Sequence, residues 1–264
     1  MSGFESLLPD AETLLRVVTM RDYNTRVVMI GTMLLGLAGG VIGTFLLLRK
    51  RALLADAVSH ATLPGIAAAF LFMVSLGGEG KNLFGLLLGG LVSGLIGMGM
   101  VLLIRRVTRL KEDAALGIVL SVTFGLGVAL LGIIQRMRTG SAAGLESFIY
   151  GKTASMIAAD AWLIAGASAA VILASIALFK EFNLICFDQS YAASRGWPVV
   201  RLDVVMMSLA VAVTVIGLQS VGLILIIAIL VIPPAAGRFW TDDLRRLALL
   251  SGLIGAAGGF IGAA

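Results

Sequence analysis

The sequence predicts an all-α fold, a polytopic transmembrane helical bundle of about eight spans, on three observations. Of its 264 residues, 59% are hydrophobic and only 13% are charged, whereas a soluble domain is about 45–50% apolar and about 25% charged. The mean hydropathy is +1.04. The apolar residues fall into runs that can cross ~30 Å of hydrocarbon as helices of about 20 residues. No polar stretch is long enough to build an extramembrane core, so nearly all of the chain belongs in or beside a bilayer. This composition argues against a disordered chain, a secreted disulfide scaffold and a primary nucleic-acid role. The one cysteine, Cys186, cannot make an internal bridge and is silent on redox compartment.

Residues 1–26, with Asp10, Glu12 and Asp22, lack the basic start and adjacent apolar core of a signal peptide. They read as an amphipathic segment at the membrane interface. The transmembrane domain, 27–264, opens with Val27–Leu48, an uncharged run closed by Arg49-Lys50-Arg51. Ala52–Ser75 follows, then Leu83–Ile104, Asp113–Gln135 and Ala159–Phe179. A polar connection, about 186–198, separates these from Val200–Gly217, Ser220–Gly237 and Leu247–Ala264. The sixth and seventh runs are divided only by Gln219-Ser220 and by Pro233-Pro234, so this stretch reads as two spans or as a span with a re-entrant segment.

The net charge of +5 is an orientation signal rather than a sign of an anionic partner. The connections at 49–51, 105–111, 180–201 and 238–246 hold thirteen of the twenty Lys and Arg residues. The positive-inside rule therefore puts them in the cytoplasm and the N-terminus outside, and no nucleic-acid partner is needed to explain them. Glycine pairs four residues apart, among them Gly36/Gly40 and Gly255/Gly259, permit the close backbone approach that holds helices together in lipid.

Ionisable residues inside spans are costly, so they are functional candidates by default. One cluster stands out, in Asp56-Ala-Val-Ser-His60. The i, i+4 spacing puts the carboxylate and the only histidine on one helix face, about 5–6 Å apart at Cβ. Imidazole nitrogen with carboxylate oxygen suits manganese, iron or zinc. The same pair also fits a salt bridge between helices, or a proton relay. Two ligands do not complete a coordination sphere, but two copies of the bundle would present four. Just downstream, Pro64 and Gly65 are where a helix would break locally and free carbonyls toward a cavity.

In the polar connection, Asp188 reads as an N-cap, Gly196 as C′ and Pro198 as a stop, which predicts a helix of about two turns. Such a helix outside the bilayer could dock a cytoplasmic partner, or be a solvated loop. Gly151-Lys152-Thr153 echoes the end of a phosphate-binding loop, but Glu146 stands where its first glycine is required. An intramembrane metalloprotease needs a second histidine.

The stretch Arg51-Ala-Leu-Leu-Ala-Asp56-Ala-Val-Ser-His60-Ala-Thr-Leu-Pro64-Gly65 closely resembles the signature of permease subunits of the manganese/zinc/iron-type ABC importers. Phe187-Asp188 through Ala192 to Gly196, and Gln219-Ser220-Val221-Gly222 through Pro233-Pro234-Ala235-Ala236, resemble two further blocks of that family. The likeness runs from about Val27 to the end. It implies a type II importer fold in which two permease copies, or a copy and a sister permease, form the path. Two cytoplasmic ATP-binding subunits would drive it, and an extracytoplasmic binding protein would deliver the metal. The chain itself would then not be an enzyme and would keep no permanent cofactor. By the same resemblance Asp56 and His60 are transient metal ligands, Asp188, Ala192 and Gly196 belong to the coupling helix, and Pro233 and Pro234 mark a second helix break near the path. Manganese is favoured, with zinc or iron as alternatives, across the inner membrane of a bacterium. The competing reading is a secondary transporter using Asp56 and His60 as a cation relay. Chains of that family usually continue by a further apolar segment past the Gly-rich eighth span, so a natural short form and an incomplete C-terminus are both open.

Overall fold

A computed structural model describes residues 22–78, 80, 82–137 and 151–263, so most of the expected interfacial segment, and Glu146, lie outside the described residues. Among the described residues the regular structure is entirely helical: α1 (Tyr23–Leu48), α2 (Ala52–Ser75), α3 (Leu83–Val107), α4 (Glu112–Arg136), α5 (Ala158–Ala177), α6 (Phe179–Phe187), α7 (Gln189–Ser194), α8 (Val199–Val221), α9 (Leu223–Arg238) and α10 (Leu244–Gly262). A 3-10 turn, Thr153–Ser155, precedes α5. Seven of these helices are long and apolar enough to cross a membrane. The segment expected as the seventh of eight spans forms α9, a shorter apolar helix of 16 residues, about 24 Å of rise at 1.5 Å per residue, which falls short of a full hydrocarbon thickness.

The glycines set the packing. A Cβ on Gly36 would fall 2.1 Å from the Gly255 carbonyl oxygen, and one on Gly40 would fall 2.1 Å from that of Ser251. Only hydrogens in those places let α1 and α10 touch backbone to backbone, antiparallel, where dispersion replaces the missing hydrophobic drive. Thr32 Oγ1 donates across the same seam to the Gly259 carbonyl at 2.9 Å. Helix α1 is thereby the centre of the bundle, 67% buried over its apolar window against 22% for α4.

The long uncharged run resolves into a hairpin. Gly222, at φ +86°, takes the left-handed conformation open to glycine, and Gly217 and Ile226 come into direct contact across the turn. The turn is held from outside: the Lys152 N–H and the Thr153 hydroxyl both donate to the Ser220 carbonyl, at 3.2 and 2.9 Å. Asp160, 2% exposed, accepts from Lys152 Nζ at 3.0 Å and from Gln219 Nε2 at 3.2 Å.

Two expectations are corrected here. Pro64 and Gly65 lie within an uninterrupted α2, and Pro233 and Pro234 within an uninterrupted α9. Each proline removes one backbone donor, but the neighbouring helices hold the chain helical through it. Gly65 serves contact instead: its Cβ would meet the Gly89 carbonyl oxygen of α3 at 2.1 Å. The chain break of this region sits at Gly222.

Candidate metal site and the basic end of the bundle

Asp56 and His60 project from α2 as their spacing requires, with His60 Nε2 3.4 Å from Asp56 Oδ1. If both donors lie about 2.1–2.2 Å from one ion, that separation subtends about 100–110°, suitable for adjacent ligands in tetrahedral or octahedral coordination. The pair is open: the side chains are 38% and 18% exposed. The His60 ring packs edge-on against Phe124 of α4, centroids 4.8 Å apart and planes at 77°. Its Nδ1 is buried without a hydrogen-bond partner among the described residues. Around the pair, α2 is tied locally: Ser59 Oγ donates to the Asp56 carbonyl at 2.7 Å, and Ser93 Oγ of α3 donates to that of Ala61 at 2.6 Å. Among the described residues no three His, Cys, Asp or Glu side chains form a metal-binding group, so one chain offers two donors.

The connecting segment folds as its residues predict, with one addition. Asp188 Oδ1 accepts from the Tyr191 N–H at 2.8 Å and caps α7. Gly196, at φ +81°, ends it: its N–H reaches the Ala193 carbonyl and that of Trp197 reaches Ala192, at 3.0 and 3.1 Å, the paired closure of a Schellman motif. Ala192 is fully buried, while Asp188 and Gly196 are exposed. The addition is α6, split from α5 at Leu178, where a fifth span ending at Phe179 was expected.

A second cluster, invisible in the sequence, lies beside α7. Arg51, which precedes α2, is 2% exposed and pairs with Asp203 Oδ1 of α8 at 2.6 Å and with Glu112 of α4. Arg49 Nη2 reaches the same Asp203 oxygen at 3.0 Å, and its Nη1 donates to the Ile185 carbonyl of α6 at 3.0 Å. Arg105 of α3 pairs with Glu112 at 3.0 Å. The single sequence-derived cluster at Asp56/His60 is thus joined, among the described residues, by this knot and by the Asp160 group at the opposite end. Asp203 and Asp160 each sit in the first turns of an apolar run, and neither stands out in the sequence. Nearby, burial first and then the Asp203 charge outweigh the two arginines and push the Cys186 thiol up to about 12.

The fold is a glycine-packed helical bundle that sets Asp56 beside His60 on α2 and carries a capped helix, α7, at its basic end. The chain belongs to the ABC 3 transport family, whose profile matches residues 21–264. It is 46% identical to the manganese transport system membrane protein MntC of Bacillus subtilis over 90% of this chain, though it spans only 54% of that relative's length. It is 39% identical to the zinc transport system membrane protein TroC of Treponema pallidum, covering 91% of this chain and 79% of that one. Among solved structures it resembles PsaBC from Streptococcus pneumoniae in complex with Fab, with a TM-score of 0.77 at 28% identity, over 93% of this chain and 84% of that chain.

Proposed function

We propose that this chain is the permease subunit of an ATP-driven importer that moves a divalent transition metal, manganese first, with zinc or iron as alternatives. In this reading two copies, or this chain and a sister permease, meet so that Asp56 and His60 of each face one path. A cytoplasmic ATP-binding subunit docks on α7 through the surface around Asp188, Ala192 and Gly196. An extracytoplasmic binding protein supplies the ion. The basic end lies in the cytoplasm of a bacterium and the N-terminus outside, in keeping with the distribution of Lys and Arg. Pro64, Gly65, Pro233 and Pro234 pack α2 and α9 beside the path.

The observation that carries this reading is the half-open pair itself. Asp56 and His60 are spaced to hold one ion, yet leave most of its coordination sphere to others, as a site that must release its cargo requires. Names of the relatives from Bacillus subtilis and Treponema pallidum support manganese and zinc as cargo. A bound cation also removes the cost of keeping the Asp56 carboxylate ionised in the membrane.

The test is uptake into vesicles holding the permease with its ATP-binding subunit. Mn(II) uptake should require ATP and fall to background in Asp56→Ala and in His60→Ala, while ATP hydrolysis continues. Uptake driven by an ion gradient without ATP would instead favour the secondary transporter.

A further inference from the structure

The knot at the basic end uses five charged side chains that metal binding does not need, and its arrangement suggests what it is for. One oxygen atom, Asp203 Oδ1, accepts from both Arg49 at 3.0 Å and Arg51 at 2.6 Å. The two arginines face opposite ways. Arg49 holds the α6–α7 junction: it donates to the Ile185 carbonyl at 3.0 Å, and the Gln189 amide, assigned with its oxygen toward the guanidinium because only that orientation pairs an acceptor with the donor, then accepts from Arg49 Nη1 at 2.7 Å. Gln189 is the first residue of α7. Arg51 directly precedes α2 and is tied to α4 through Glu112. From Arg51 to Asp56 is five residues of continuous helix, about 7.5 Å of rise, and a helix of that length moves as a rod. Phe124, which packs on His60, belongs to the same α4 that Glu112 begins.

We propose that this knot is the linkage through which movement of α7 reaches the metal ligands, and that Asp203 is the positioning residue at its centre. The inference rests on the importer reading, in which the ATP-binding subunit seats on α7. When that subunit moves α7, Gln189 and Ile185 carry Arg49 with them. Because Arg49 and Arg51 share one carboxylate oxygen, Arg51 cannot stay in place, and α2 and α4 shift on either side of His60. A buried guanidinium without its carboxylate is strongly disfavoured, so the charges hold the elements in contact through the motion. A role confined to fold stability would need no contact with α7, whose residues other than Ala192 are exposed.

The experiment uses the permease assembled with its ATP-binding subunit in proteoliposomes, reading Mn(II) taken up per ATP hydrolysed and resting Mn(II) affinity. Asp203→Asn keeps shape and hydrogen bonding but removes the charge. It should lower uptake per ATP about tenfold, in the lower part of the range that a coupling free energy usually spans, with Mn(II) affinity within about twofold. Asp203→Glu should restore most of the yield. Gln189→Ala, which leaves every ion pair intact and so keeps the fold, should lower uptake per ATP about fivefold without changing the melting temperature, and this decides the matter if Asp203→Asn does not assemble. Wild-type uptake per ATP in Gln189→Ala, or parallel loss of Mn(II) affinity and uptake in Asp203→Asn that Asp203→Glu does not rescue, overturns the linkage. A wild-type complex that binds Mn(II) but shows no ATP-dependent uptake overturns the importer reading, and the linkage with it.

Discussion

The two charged clusters on α2 and its lead-in, a turn and a half apart, are built on opposite plans. Asp56 and His60 are partly exposed, 3.4 Å from each other, and His60 Nδ1 has no partner among the described residues. Arg51 is 2% exposed and held by carboxylates from two other helices. An ion-transit site must keep its donors unsaturated, since a saturated ligand has nothing to offer a passing cation. A structural or mechanical joint must have its charges paired, since an unpaired buried charge costs several kcal/mol, and the knot pairs each charge although Arg49 Nε, Arg51 Nε and Glu112 Oε1 make no well-formed hydrogen bond among the described residues. The openness of one cluster and the closure of the other are therefore two answers to the same cost of burying charge.

That contrast can be broken by mutation. The largest effect on the fold belongs to the closed cluster: Asp203→Leu strands Arg49 and leaves Arg51 with Glu112 alone, and should cost about 3–5 kcal/mol, seen as a sharply lower melting temperature of the purified complex. Removing the open pair should do the reverse, leaving that temperature nearly unchanged while abolishing uptake. If Asp56→Ala destabilises as much as Asp203→Leu, the pair is a structural bridge between helices rather than a ligand set.

A smaller effect is expected at Phe124. It touches His60 but no ion, so Phe124→Ala should weaken Mn(II) binding about tenfold, as loss of a ligand's supporting contact does, with melting unchanged. Titration of the assembled complex with Mn(II) measures it. An unaltered affinity would mean that α2 alone fixes the imidazole.

The smallest effect is chemical. Burial holds the Cys186 thiol protonated well above pH 9.0, the ordinary value from which it is raised. Since the thiolate is the nucleophile, raising the pH to that value should leave maleimide labelling of the native protein slow, while the unfolded chain labels fast. Rapid native labelling would show that the α6–α7 junction opens in solution.

Much of this arrangement was legible in the sequence, for physical reasons that also mark where legibility stopped. Span length and uncharged runs locate the long helices because hydrocarbon thickness is fixed, and i, i+4 spacing alone put Asp56 beside His60. Asp188 and Gly196 announced α7 because capping chemistry is local. The knot was not legible: Arg51 and Asp203 are 152 residues apart, and nothing in either neighbourhood names the other. Prolines misled in the other direction, since Pro64 and Pro233-Pro234 weaken helices in isolation but lie between close-packed neighbours that keep them helical. Gly222, one glycine among thirty-three, made the turn, and its φ of +86°, shared in kind by four other glycines among the described residues, is visible only in the structure.

The central claim is that two copies of the open pair make one ion site, and the most direct measurement is the stoichiometry of Mn(II) bound to the assembled complex, read by electron paramagnetic resonance. The account predicts one tightly held ion for every two permease chains, lost when His60→Ala is present in both. One ion per chain, or a bound ion that survives both Asp56→Ala and His60→Ala, would contradict it.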